Sequence, residues 1–550
     1  MSDRILVCVG WPYANYLLHV GQAAGAYLPA DIFARFQRLK GNEVLMVSGS
    51  DCHGTPITVA ADREGVEPQA IVDRYHPRIL EVWERFGISW DLFTTTLTPN
   101  HYAVTQDVFL KLLEHDFLYP KTAEYLYDPE AERFLPDRYV EGTCPHCGYA
   151  DARGDQCDSC GKTLDAVELV NPRSKISGAT PVLRPSEHFF LRLSALEEQL
   201  KAWVSEKTYW RKNVLNFTLG MLNEGLKDRG ITRDIKWGVP VPVEGYEDKC
   251  IYVWFDAVIG YLSASKEWAQ LRGTPEAWRP FWEDSSTRSY YFVGKDNIPF
   301  HAVIWPAMLM GYGGLNLPYD VPANQYVNFS AGQKQSKSKG TGTWMVDLLD
   351  AYAPDVVRFY LTMVLPETND TEFREDELIR TNNDVLIGTW GNLANRVISM
   401  IHRNFDGIVP EPGELAPESQ ALIAEAKATF DSAGAEYNAC HFRAALQECL
   451  RLAQAANKYL DERAPWKAVK TDMAHAAETL ATALDVINAL KVLLHPVIPF
   501  STTRLHEDLR LPGSIMDQGW GWQPIPRGTA LLPARPLYTK IDIAGDGSGA

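Results

Sequence analysis

The chain has 550 residues, too many for one hydrophobic core, so about two to four domains are expected. Its 46% hydrophobic and 11% aromatic content describes a folded globular protein, and no apolar run approaches the roughly 18 to 20 residues of a membrane span. A net charge of −17 argues against indiscriminate nucleic-acid binding, so any such partner must meet locally gathered basic residues.

The first apolar run, Ile5 to Val9, predicts a strand buried on both faces of a parallel sheet. It starts so close to the N-terminus that no signal peptide is expected. The stretch Trp11-Pro-Tyr-Ala-Asn-Tyr-Leu-Leu-His-Val-Gly-Gln22 follows, then a helix with Ala24, Leu28, Ile32, Phe36 and Leu39 on its apolar face. A second strand, Val44 to Val47, leads to Ser-Gly-Ser-Asp51 and a polar loop, Cys-His-Gly-Thr-Pro56. In such a βαβ unit, ligands sit past the strand ends and near the helix N-terminus, where His19 and Gly21 stand. Helical segments are predicted around 83–86 and 104–113. From Tyr119 to about Thr180 the texture turns loop-rich, as for an insertion.

Helical patterning returns at 195–204 and continues through Leu226. A strand-like segment, Ile251 to Phe255, a helix near 261–270, a strand ending at Lys295-Asp296, a helix from Phe300 to Met310 and a strand from Tyr326 to Phe329 follow. From about Asp347 the β patterning is expected to stop. Long amphipathic segments near 376–404, 418–437, 441–463, 473–495 and 499–509 predict an α-helical bundle. The Pro/Gly-rich last forty residues are expected to fray.

Nine cysteines include one cluster of four, with Cys8, Cys52, Cys250, Cys440 and Cys449 scattered, a cytosolic pattern rather than a disulfide framework. Cys144-Pro-His-Cys147 and Cys157-Asp-Ser-Cys160 form two CxxC knuckles suited to one closed, structural Zn²⁺ site. His146 lies inside a knuckle and need not be a ligand. Lys334-Gln-Ser-Lys-Ser-Lys-Gly340 gathers ammonium charges at a strand end, which suits a polyphosphate whose charge grows during reaction. Alone it would be a solvated basic turn.

Together, His19-Val-Gly-Gln22 and Lys334-Gln-Ser-Lys-Ser338 resemble the two ATP-binding signatures of class I aminoacyl-tRNA synthetases. The knuckles and the helical C-terminus narrow the resemblance to the methionyl-tRNA synthetases. So do Asp51-Cys-His-Gly-Thr-Pro-Ile57, Phe134-Leu-Pro-Asp-Arg138, Ser177-Gly-Ala-Thr-Pro181, Tyr252-Val-Trp-Phe-Asp256, Gly294-Lys-Asp296 and Ala464-Pro-Trp466. It spans about residues 4 to 510. It implies an α/β Rossmann-type parallel-sheet catalytic domain, split as 1–118 and 186–330, with a connective zinc-knuckle domain inserted at 119–185. A lysine–serine loop and stem-contact region (331–375), an anticodon-binding bundle (376–510) and a tail (511–550) would complete the chain.

The resemblance further implies methionine activation by ATP, then transfer to tRNA(Met), with Mg²⁺ accompanying the nucleotide. His19, Gln22, Lys334 and Lys337 would be catalytic. Gly21, Lys295, Asp296, Ser336 and Ser338 would join them around ATP. The methionine pocket would take Trp11, Tyr13, Asp51, Trp254, Ala257, Val258, Tyr261, Phe300 and His301, with Asp51 on the α-ammonium. Asn392, Arg396 and Trp466 would read the anticodon. A cytoplasmic monomer is expected.

Three positions depart from the family pattern. Gln22 replaces a second histidine, Val258 a proline and Gln335 a methionine. Gln22 is the single feature favouring a non-catalytic paralogue that binds tRNA or nucleotide. A leucine, isoleucine or valine synthetase would need a large editing domain, and the insertion here is short.

Overall fold

The computed structural model describes residues 2–329, 333–334 and 343–542. Its centre is a five-stranded, all-parallel sheet in the order Ala323–Asn324, Arg288–Gly294, Arg4–Val9, Glu43–Ser50, Leu92–Thr95. The first strand pairs with the second on one side and with Arg288–Gly294 on the other, so chain order reverses beside it. Ligands of doubly wound sheets bind at such a switch point.

Alternation along the first strand divides the core. Ile5, Val7 and Val9 join one cluster with Phe33 and Phe36 of the helix Leu28–Leu39, and that cluster runs on into the C-terminal helices. Leu6 and Cys8 face the opposite cluster, with Phe109, Ile259, Leu262 and Met308 from three helices. A strand buried on both faces needs this near-continuous apolar run.

Several expectations change. Ile251 to Phe255 has strand-like composition, but only Cys250–Ile251 pairs, with Thr232–Arg233, and the helix Val253–Leu271 begins directly after. There Phe255, Val258, Ile259 and Leu262 lie at helical spacing in the core, and packing outweighs β propensity. The strand Val327–Phe329 stays outside the main sheet. It pairs with Gln333–Lys334 and with Thr371–Phe373, so β structure persists past residue 347.

The insertion projects on a long antiparallel ribbon, Leu118–Asp128 against Val182–Leu191, and carries a three-stranded sheet of its own. Beyond Glu375 the chain is helical, with Asn392–Asn404, Pro417–Asn438, Phe442–Arg463, Met473–Leu494 and Pro499–Asp508 packed as a bundle. As far as Asp542 the tail does not fray. Ile525, Leu531 and Leu537 are buried, and Trp520 packs on Phe36, Phe430 and Tyr437. Regularly placed apolar residues anchor a segment whose composition suggested disorder. The Gly-rich end from 543 lies outside the described residues.

Candidate active site

A cleft of about 1150 Å³, counting its open mouth, lies past the C-terminal ends of the strands Arg4–Val9 and Arg288–Gly294. Of the sequence-predicted residues, Trp11, His19, Gly21, Gln22, Asp51, Trp254, Ala257, Val258, Tyr261, Asp296 and His301 line it. Tyr13 and Phe300 pack against Trp254 of this lining, and Lys295 lies between the lining residues Gly294 and Asp296.

At the helix opening, His19 is an extended N-cap. Its Nδ1 accepts from the Gln22 backbone N–H at 3.3 Å, while Gln22 Oε1 accepts from the His19 N–H at 3.1 Å. This reciprocal capping box satisfies two helix-end donors and leaves the imidazole proton on Nε2. The helix then widens into a π turn, Ala23–Tyr27, which brings Tyr27 to the cleft with its hydroxyl on the Gly10 carbonyl at 2.8 Å. Gly49 and Gly260 form a slot for the Trp11 indole, and a Cβ at either would overlap it.

The helix Val253–Leu271 supplies Trp254, Ala257, Val258 and Tyr261 at helical spacing. Trp254 stacks on Phe300 at 4.2 Å and 11°, and Tyr13 meets Trp254 edge-on at 6.4 Å. A second π turn, Phe300–Ile304, carries Phe300 and His301. His301 Nδ1 donates to the Asn297 carbonyl at 2.9 Å and Nε2 accepts from the Tyr261 hydroxyl at 2.7 Å. Burial pushes this imidazole down to about 4, so it is neutral at physiological pH. Asp51 is buried and takes the His53 backbone N–H on Oδ1 at 3.1 Å. Its carboxyl is raised well above the usual range, first by burial and then by Asp256.

Past the strand Arg288–Gly294, Asp296 holds the Tyr326 hydroxyl. Lys295 is paired, with Nζ 2.8 Å from Asp370 Oδ1 and 3.9 Å from the ring centroid of Tyr326, which lines the cleft. Of the lysine loop, Lys334 belongs to a short described strand. Ser336, Lys337 and Ser338 lie outside the described residues, as does Gln335.

Two further sites lie apart. The four sulfurs of Cys144, Cys147, Cys157 and Cys160 fall within 4.8 Å of one another, with two pairs at 3.9 and 3.6 Å. Tetrahedral Zn–S bonds of ~2.3 Å require S···S separations of about 3.8 Å, so the set fits a zinc ion. Gly148 and Gly161 close the knuckles at φ 76° and 72°, donating to the Cys144 and Cys157 carbonyls. In the bundle, Arg396 lies 5.4 Å over the exposed Trp466 ring and pairs with Asp461 at 3.1 Å, while Asn392 is exposed one turn earlier.

Among the residues near the cleft without a predicted role are Arg138, His53, Asp256 and His101. Arg138 lies 5.5 Å over the Tyr13 ring and is paired with Asp155, from between the knuckles, at 3.3 Å. The first three sit inside matched stretches, which was the available signal. His101 had none, because only folding brings it near.

A family model described as tRNA synthetases class I (M) matches residues 5–398, and one described as the anticodon binding domain of methionyl tRNA ligase matches 409–544. The methionine–tRNA ligase of Roseiflexus castenholzii is 52% identical over 579 residues, covering 99% of this chain and 98% of the relative. That of Dehalococcoides mccartyi strain 195 is 53% identical over 542 residues, covering 98% of each. The Mycobacterium tuberculosis methionyl-tRNA synthetase bound by methionyl-adenylate superposes with a TM-score of 0.81 at 26% identity, covering 98% of this chain and 100% of that one. With the matched models spanning nearly its whole length, the chain belongs to the methionyl-tRNA synthetases of the class I tRNA synthetase family.

Proposed function

We propose that this cleft joins methionine to ATP as methionyl-adenylate, releasing pyrophosphate, and that the chain then transfers the methionyl group to the terminal adenosine of tRNA(Met). The observation that carries the site assignment is the convergence of a capped His19, a buried Asp51 and the Trp254/Tyr261/His301 wall at one switch point. The methionine carboxylate is itself the nucleophile, so the protein's work is positioning and charge stabilisation at the α-phosphate.

In this reading Asp51 pairs with the α-ammonium, which returns its raised carboxyl to the ionised form. Trp11, Tyr13, Trp254, Ala257, Val258 and Phe300 bound the thioether, where sulfur–aromatic contacts contribute ~0.3–1.5 kcal/mol each. Neutral His301, tied to Tyr261, adds polarity without charge. His19 Nε2–H and the Gln22 amide serve phosphate oxygens at the helix N-terminus, beside Gly21 and Asp296. Lys334 and Lys337, with Ser336 and Ser338, clamp the departing pyrophosphate. Lys295 joins the nucleotide by exchanging Asp370 for a phosphate oxygen. Mg²⁺ accompanies ATP and offsets phosphate charge. The four cysteines hold one structural zinc, since four sulfurs leave no open coordination position.

Asn392, Arg396 and Trp466 meet anticodon bases by stacking and edge hydrogen bonds, worth ~1–3 kcal/mol per stacked base. No helix of the described residues is long and apolar enough to cross a membrane. We take the enzyme as a cytoplasmic monomer with the domain limits given above.

ATP–pyrophosphate exchange measured with each of the twenty amino acids tests this. Exchange stimulated by methionine alone is expected. No exchange would favour the paralogue, and stimulation by a branched aliphatic amino acid would overturn the substrate assignment.

A further inference from the structure

Behind the cleft, three buried side chains from three separate elements meet. His53 comes from the loop after Glu43–Ser50, His101 from the helix Pro99–Glu114, and Asp256 from the first turn of Val253–Leu271. His53 Nδ1 lies 2.6 Å from Asp256 Oδ2, and His101 Nε2 contacts Asp256 Oδ1. The far ring nitrogens meet Tyr102 Oη at 3.1 Å and Ser263 Oγ at 2.8 Å. Trp11 packs 6.3 Å from the His101 ring.

A metal is a poor occupant. Ligand atoms around one ion at ~2.0–2.2 Å stand about 3.3–3.5 Å apart in a tetrahedron. Here each nitrogen contacts its carboxylate oxygen directly, so a proton fills each gap. The result is a carboxylate gripped by two N–H donors. Burial works to raise the Asp256 carboxyl, but the two imidazoles outweigh it and bring it down to about 2. The charge is therefore permanent at physiological pH.

Its place gives it a use. The next two residues, Ala257 and Val258, line the cleft. The same His53 that binds Asp256 through its ring gives its backbone N–H to Asp51. Two buried carboxylates thus share one histidine. We propose that Asp256, gripped by His53 and His101, is a positioning residue for the substrate's α-ammonium: it fixes the loop that aims Asp51 and keeps a second negative charge behind it, making this end of the cleft selective for a cationic amine. The inference rests on the assignment of the ammonium to Asp51.

Equilibrium binding to Asp256→Asn, followed by tryptophan fluorescence, tests it with two ligands: L-methionine and its des-amino analogue, 4-(methylthio)butanoate. The expected result is at least tenfold weaker methionine binding, with analogue binding and the KM for ATP changed less than twofold. Equal weakening of both ligands would mean a structural role only and overturn the proposal, as would no change in either. Should Asp256→Asn fail to fold, His101→Gln serves, with the same selective loss expected in smaller degree and unchanged selectivity overturning the idea. Wild-type enzyme that binds no methionine would instead discredit the assignment of the cleft itself.

Discussion

Gln22 holds the backbone of His19 while lining the cleft. Glutamine is one of the two residues suited to closing a capping box from N3, so the departure from histidine places there a side chain that fixes the N-cap. Gln22→Ala removes that acceptor along with an amide donor. Losing the phosphate contact should lower the exchange kcat about tenfold, while losing the cap costs roughly 1 kcal/mol of stability. Methionine affinity should stay within about twofold, because the proposed reading sets Gln22 beside the phosphates and not in the methionine pocket. Gln22→Glu keeps the cap but sets a carboxylate beside the phosphates, and it should slow exchange without loosening the helix. Unimpaired exchange in Gln22→Ala would remove the residue from the mechanism. The sequence exposed the substitution at once. The reciprocal hydrogen bonds were not legible, since they depend on the extended backbone of His19, which a strand–loop–helix pattern does not specify.

The inserted module is legible where its logic is local. Two CxxC spacings and the following glycines suffice to predict the knuckles, because each closes within a few residues. The reach from knuckle to pocket was not legible. Asp155 holds Arg138 over Tyr13, and this depends on how the small sheet folds back on its ribbon. The start of the helix at Val253 is not legible for a related reason, since aromatic and β-branched residues there favour a strand until packing decides. Chelating the zinc proposed for the knuckles should let the Asp155 loop relax and free Arg138 from Tyr13. A cation–π contact of this kind is worth ~1 kcal/mol, so chelated enzyme should bind methionine about fivefold more weakly. Asp155→Ala, zinc retained, should reproduce most of that loss in a fluorescence titration. Full methionine affinity in both would show that the knuckle leaves the pocket untouched.

Across the whole molecule, one apolar core runs from the first strand through the helix Leu28–Leu39 into the bundle, with the tail laid over the seam. Helical periodicity predicted the five bundle segments well, but their union with the sheet is a long-range fact. At its centre sits a fully buried arginine. Arg358 binds Asp31 Oδ2 at 2.7 Å and donates to the carbonyls of Val497, Pro496 and Phe86 at 2.8, 2.9 and 3.2 Å. One guanidinium thereby joins the helix Leu28–Leu39, the end of Pro68–Phe86 and the bundle. Removing one partner of such a pair leaves the other charge buried, a cost of about 3–5 kcal/mol, so Arg358→Ala should lower Tm sharply. Its pH dependence has a definite sign. Burial favours the neutral Asp31 carboxyl, yet Arg35, Arg358 and the Ser89 hydrogen bonds hold it well below the usual carboxylate range. A depressed folded value gives stability that is present above the unfolded pKa of ~3.9 and lost as pH falls towards the folded one. Without Arg358 the folded value rises, and the acid limb of the stability curve should become shallower because Asp31 then contributes less. Urea unfolding from pH 7 to pH 3 measures this. The gap between wild type and Arg358→Ala should be widest near pH 7 and narrow on acidification, and a constant gap would show that the pair carries no net charge coupling.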